Sequence, residues 1–240
     1  MNDIKFDELQ KIGAIKNGKF EIENAQIKEK NEKGEKIPGV WALFGKTNPK
    51  KIELEGYGYP WDKPTDSEMW CLQVGQSQDI IGEITSDISL FTKPLPGKHE
   101  YVNQFGEHIF SYIGIGTADR SLGNIYSYYF LSEYFTGFKF VLLQETQNEN
   151  LRKKIESMFA IGTKALCWRN GGSAKKGGGI DSKSIYDEMI ALKEGEKHKD
   201  FKDIPDKTYN LLLQFIESYR NSGIRPFKWR VPDFDPPTFK

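Results

Sequence analysis

The stretch 137–172, GFKFVLLQETQNENLRKKIESMFAIGTKALCWRNGG, constrains this chain more than any other. Phe138–Leu143 reads as a buried strand. After it, Leu151, Ile155, Met158, Phe159 and Gly162 recur at helical spacing, which predicts an amphipathic helix from about Glu149 to Ile161. Asn148 or Thr146 supplies an N-cap, and Glu149 lies favourably in the first turn. A glycine-rich turn carrying Trp168, Arg169 and Asn170 follows. Glu156 falls in mid-helix on the border of the apolar face, where it either pairs with Arg152 or Lys153 at the solvent edge or serves a site.

The rest of the chain supplies a scaffold for this unit. With 240 residues, 38% of them hydrophobic, the chain can bury one sizeable core. Sixteen Phe, eleven Tyr and five Trp make large planar side chains a main source of that burial. The 34 basic and 34 acidic residues balance, so a nucleic-acid surface would have to be a local patch. Cys71 and Cys167 lie far apart and read as buried thiols of a reduced protein; two cysteines and three histidines argue against structural zinc. No signal-peptide pattern or membrane-length apolar run is present, so a soluble cytoplasmic protein is expected.

In chain order, residues 1–37 form a polar arm in which Lys19-Phe-Glu-Ile-Glu23 alternates like an edge strand. Val40–Phe44 and Met69–Val74 read as buried strands separated by a long Gly/Pro-rich loop with Tyr57 and Tyr59. Ile80–Phe91 has helical periodicity. Polar residues 98–106 lead into a third apolar run, 108–114, and residues 124–136 read as a helix, with strand as the alternative that their tyrosines leave open, stopped by Gly137. Beyond the basic Gly171–Gly179 segment, Ser182–Leu192 and Thr208–Arg220 read as helices joined by a charged connector, 194–207. The tail 225–240 combines prolines with Phe227, Trp229 and Phe234, either strapped to the body or docked on a partner protein. The expected fold is α/β: a small mixed or antiparallel sheet flanked by helices over residues 38–179, then a helical extension over 180–240.

The order strand, strand, helix, strand, helix resembles the GIY-YIG nuclease fold over residues 38–172. Gly39-Val-Trp41 stands for Gly-Ile-Tyr, Gln73-Val-Gly75 for Tyr-Ile-Gly, and Phe140–Glu145 for the third strand. Glu156 then matches the family's metal-binding glutamate and Asn170 the asparagine that follows its helix. In this register the two signature tyrosines are Trp41 and Gln73, and Glu83 occupies the neighbourhood of the family's arginine. A second register uses Tyr112-Ile-Gly114 with Arg120, taking 69–74 as the first strand. Hybrids treat 76–107 as an insertion and keep both Gln73 and Arg120.

The resemblance implies a magnesium-dependent endonuclease acting on double-stranded DNA, of restriction or defence type. Glu156 would hold the cation, Arg120 would offset phosphate charge, and Tyr112, or Tyr57 or Tyr59, would serve the attacking water. Asn170 would pin the adjacent turn. Lys164, Arg169, Lys175 and Lys176 form a basic cluster suited to a phosphate backbone. Cutting both strands implies a homodimer. Because tryptophan and glutamine cannot titrate, a non-catalytic DNA- or protein-binding relative is the alternative, and an unrelated phage or defence adaptor a third.

Overall fold

A computed structural model describes residues 19–23, 26–27, 36–47, 70–90, 98–102, 108–113, 131, 135–168 and 181–221. Its strands are β1 (Lys19–Glu23), β2 (Gln26–Ile27), β3 (Gly39–Thr47), β4 (Trp70–Ser77), β5 (Lys98–Val102), β6 (His108–Ile113) and β7 (Phe135–Glu145). The helices are α1 (Ile80–Leu90), α2 (Glu149–Gly162), α3 (Ser182–Ala191) and α4 (Asp206–Asn221), with a short 3-10 turn at Lys199–Phe201. Five strands form one sheet in the order β2-β1-β7-β3-β4, antiparallel at every pairing. β5 and β6 make a separate hairpin sheet between α1 and β7.

β3 explains why this is a layered α/β structure. Val40 through Phe44 are all buried, so both faces of the strand are covered, and the run has no polar residue to turn outward. Alternation sets Trp41 and Leu43 on one face and Ala42 and Phe44 on the other. α1 meets the first face, where the Trp41 indole lies edge-on to Phe140 at 5.3 Å and reaches Glu83. α2 and α4 cover the second, where Phe44 contacts Phe159 and Phe215, themselves stacked at 5.5 Å. One apolar cluster runs from Val40 to Tyr219, so the C-terminal helices share the core of the sheet. Tyr219 ties α4 down through its hydroxyl, which accepts from the Cys71 backbone at 2.9 Å.

Two glycines permit these close layers. A Cβ on Gly39 would lie 2.4 Å from the Gln144 carbonyl oxygen, and one on Gly75 would lie 2.5 Å from the Trp41 ring. Packing therefore opposes a side chain at the glycines of both the Gly-Val-Trp and the Gln-Val-Gly pieces.

Several expectations need correction. Residues 135 and 136 belong to β7 rather than to a helix; Leu131 is helical and residues 124–130 lie outside the described residues. Gly137 does not end an element but sits inside β7 at φ +60, beside the shifted register between Phe44 and Lys46. β1 is not the edge: it pairs with β7 on one side, and the two-residue β2 takes the edge. The polar 98–106 segment contributes β5, and the charged 194–207 connector buries His198, Phe201 and Ile204. The glycine-rich 171–179 segment and the tail from 225 lie outside the described residues.

Candidate functional site

α2 starts where the sequence places it. Asn148 is its N-cap, accepting from the Leu151 backbone at 3.1 Å, and Glu149 in the first turn pairs with Lys153 at 2.6 Å. The next turn is anchored by Arg152, which is buried at 1% exposure. Its guanidinium donates to the carbonyls of Thr146 at 3.0 Å and Gln147 at 2.9 Å, and to Gln76 Oε1 of β4 at 3.0 Å. Arg152 is thus a brace between β4, the β7–α2 turn and the helix, and Lys153 serves Glu149. Neither is hydrogen-bonded to Glu156.

Glu156 faces inward at 9% exposure, one turn beyond that brace. The turn after α2 runs along the outer edge of β4, with Leu166 and Cys167 donating to the Cys71 and Leu72 carbonyls at 3.1 and 2.7 Å. This clamp brings Trp168 back to α2, where its indole Nε1 donates to Glu156 Oε1 at 3.0 Å. Burial pushes the Glu156 carboxyl up to about 7. The Trp168 hydrogen bond and the Lys153 charge oppose that rise, and the negative charge of Glu83 adds to it.

Glu83 lies in the first turn of α1, its Oε2 accepting a long 3.5 Å contact from Trp41 Nε1. Burial raises its carboxyl too, against hydrogen bonds from Ser77 and Trp41. Asp79 starts the helix by accepting from the Gly82 backbone at 3.0 Å. Glu156, buried, and Glu83, half-buried, are thus each held by an indole N–H, and the charge of Glu83 is felt at Glu156.

Of the first register's positions, Trp41 meets Glu83 on the α1 side of the sheet, and Glu156 on α2 lies within reach of the Glu83 charge. Gln73 lies on β4 opposite Leu43, with its side-chain oxygen enclosed and unpaired. The second register is built differently: β6, which carries Tyr112, pairs with β5 in the separate sheet, while β4 pairs with β3. Arg120, Asn170, Tyr57, Tyr59, Arg169, Lys175 and Lys176 lie outside the described residues. Lys164 stands at the C-terminus of α2 with φ 47, its ammonium 4.5 Å from the centre of the Tyr186 ring. Arg220 approaches the same ring at 5.1 Å and donates to the Gly162 carbonyl, so both cations also offset the negative end of α2.

Sequence reasoning passed over Trp168 as a Glu156 partner, although its place just before Asn170 in the turn is a signal. It also noted Glu83 only as the lack of an arginine. Among the described residues no group of three or more His, Cys, Asp or Glu side chains is placed to hold a metal ion. The one carboxylate oxygen of Glu156 not committed to Trp168 would suit magnesium, which takes one or two carboxylates and keeps its waters.

Among the described residues no helix is long and apolar enough to cross a membrane. Comparison with known proteins returned no matching family model, no matching curated protein and no matching solved structure.

Proposed function

We propose that this chain is a magnesium-dependent endonuclease of GIY-YIG type that hydrolyses phosphodiester bonds in double-stranded DNA in the cytoplasm. The observation that carries this reading is Glu156: a buried carboxyl on the helix that follows β7, in an order of strand, strand, helix, strand, helix interrupted by the β5–β6 hairpin before β7, raised to about 7 by burial with the charge of Glu83 adding to the rise. A divalent cation relieves that arrangement by favouring the ionised form of both acids. Glu156 and Glu83 would hold the cation, and Trp168 and Trp41 would fix the carboxylates through their indole N–H groups. When bound, magnesium polarises the phosphate and supplies acidic water. The glutamates would hold the cation, and the basic set Lys164, Arg169, Lys175 and Lys176 would contact the DNA backbone. A homodimer would present two such sites to the two strands.

Cleavage of supercoiled plasmid in magnesium, compared with the same reaction in a chelator, tests the reading. Nicked and linear products only with the metal support it; no cleavage on varied DNA removes it.

A second reading has its own observation. Trp41 and Gln73 stand at the tyrosine positions and Glu83 near the arginine position, and the one guanidinium described near Glu156, that of Arg152, is committed to Gln76, Thr146 and Gln147. The same scaffold would then bind DNA without cutting it. A gel shift that persists in chelator, without cleavage in magnesium, favours this second reading.

A further inference from the structure

Between α2, the beginning of α3 and the 3-10 turn lies a cavity of about 770 Å3, within the range of small-ligand sites. Its floor is polar and buried: Glu156 and Ser157 line it at 9% and 7% exposure. Ile185 and Phe201, both buried, give it an apolar wall. Lys153, Lys154 and Lys199 stand at its mouth.

The charges around this cavity are arranged unevenly. The wall carboxylates are already engaged. Asp181 caps α3 by accepting from the Ser184 backbone at 3.0 Å, and Glu188 accepts from Ser184, His198 and Lys199. Asp200 lies beside the His198 ring. Lys153 and Lys154, by contrast, are held only by surface pairs with Glu149 and Asp203 outside the cavity, while Lys199 shares Glu188 with Ser184 and His198. Such exposed pairs are weak and exchange readily for a better anion. A ligand matching this layout carries an anion at one end, and a flat, hydrogen-bonding ring at the other.

We propose that the cavity holds one nucleotide of the DNA strand, with its base against Ile185 and Phe201 above Glu156 and Ser157, and its phosphate among the mouth lysines. The choice of a nucleotide over another ring-bearing anion rests on the nuclease reading. Cavity and cation site then share Glu156, so a strand seated here brings its neighbouring phosphate to the carboxylate.

The test is a titration of the full chain, followed by tryptophan fluorescence because Trp168 contacts the floor through Glu156. The probes are the four deoxynucleoside 5′-monophosphates, the corresponding deoxynucleosides and inorganic phosphate. At least one monophosphate is expected to bind tenfold or more tightly than its deoxynucleoside and than phosphate. Ser184→Phe, at an exposed position on the cavity wall, and Ser157→Leu, on its floor, should each weaken that binding at least tenfold. Lys199→Ala should reduce the advantage of the monophosphate over the deoxynucleoside. Phosphate binding as tightly as every monophosphate overturns the proposal, and so does unchanged binding in a folded Ser184→Phe protein. The readout needs no cleavage: nucleotide binding without DNA nicking supports the cavity and removes the catalytic reading alone.

Discussion

The Trp168 indole donates to Glu156 Oε1 at 3.0 Å, closing a loop of twelve residues around the C-terminal half of α2. The bond holds a carboxyl that burial would otherwise leave without a polar partner. It is made possible by the clamp of 166–167 onto β4. This local arrangement makes several measurable demands on the protein.

Glu156 should make stability fall as pH rises. Its carboxyl is raised from 4.5 to about 7 in the folded chain, so the folded state binds more protons between those values. The stability from this group is complete below 4.5 and is lost as pH climbs through about 7. The full difference is on the order of 3 kcal/mol. Glu156→Gln keeps an acceptor for Trp168 and cannot ionise. Melting curves should show the variant more stable than the parent at pH 8 and close to it at pH 4.5. Equal melting temperatures at both pH values would contradict a buried, raised carboxyl.

Magnesium should stabilise the parent at pH 8 by binding the ionised carboxylates of the native state only. The melting temperature should rise with magnesium concentration in the parent and stay flat in Glu156→Gln. Glu83→Gln should weaken the response. A rise of equal size in all three proteins would place the metal elsewhere.

Arg152 is a brace, and its loss should be structural. Arg152→Ala leaves the Thr146 and Gln147 carbonyls and Gln76 without their donor, at a cost on the order of 3 kcal/mol. Lysine lacks the planar fork that reaches all three, so Arg152→Lys should recover only part. Urea unfolding measures both; a loss below about 0.5 kcal/mol in the alanine variant would contradict the role.

Gly39→Ala and Gly75→Ala should each cost about 1–3 kcal/mol by overpacking. Their effects should differ in kind. Gly39 abuts the backbone of Gln144, which cannot turn aside, whereas Gly75 abuts the Trp41 ring, which can. Near-ultraviolet circular dichroism should therefore change in Gly75→Ala, as the indole shifts, more than in Gly39→Ala.

Elements with one clear period were legible in the sequence. α2 and its Asn148 cap, α3, α4, β3 and β4 fall within a few residues of their expected bounds, because apolar spacing and local capping decide them. Tertiary packing decided the rest. β7 begins at Phe135 because its first residues pair with Lys46 and Thr47, a long-range contact that local periodicity around Gly137 does not encode. His198 looks like part of a charged linker, yet it is buried because Glu188, the Asp200 backbone and the Tyr209 hydroxyl satisfy its polar groups. At the site, the position of Glu156 on the apolar border was visible from spacing. Its pairing with Trp168 depends on the turn at Lys164 and the clamp onto β4, and the approach of Glu83 depends on where α1 lies against Trp41.

The most direct measurement of the central claim is plasmid nicking at pH 8 in magnesium by the parent and by Glu156→Gln, with both confirmed folded by their melting curves. The account predicts metal-dependent nicking by the parent, lost in chelator, and at least a hundredfold slower nicking by the variant. Equal cleavage by the two proteins, or none by either, would contradict it.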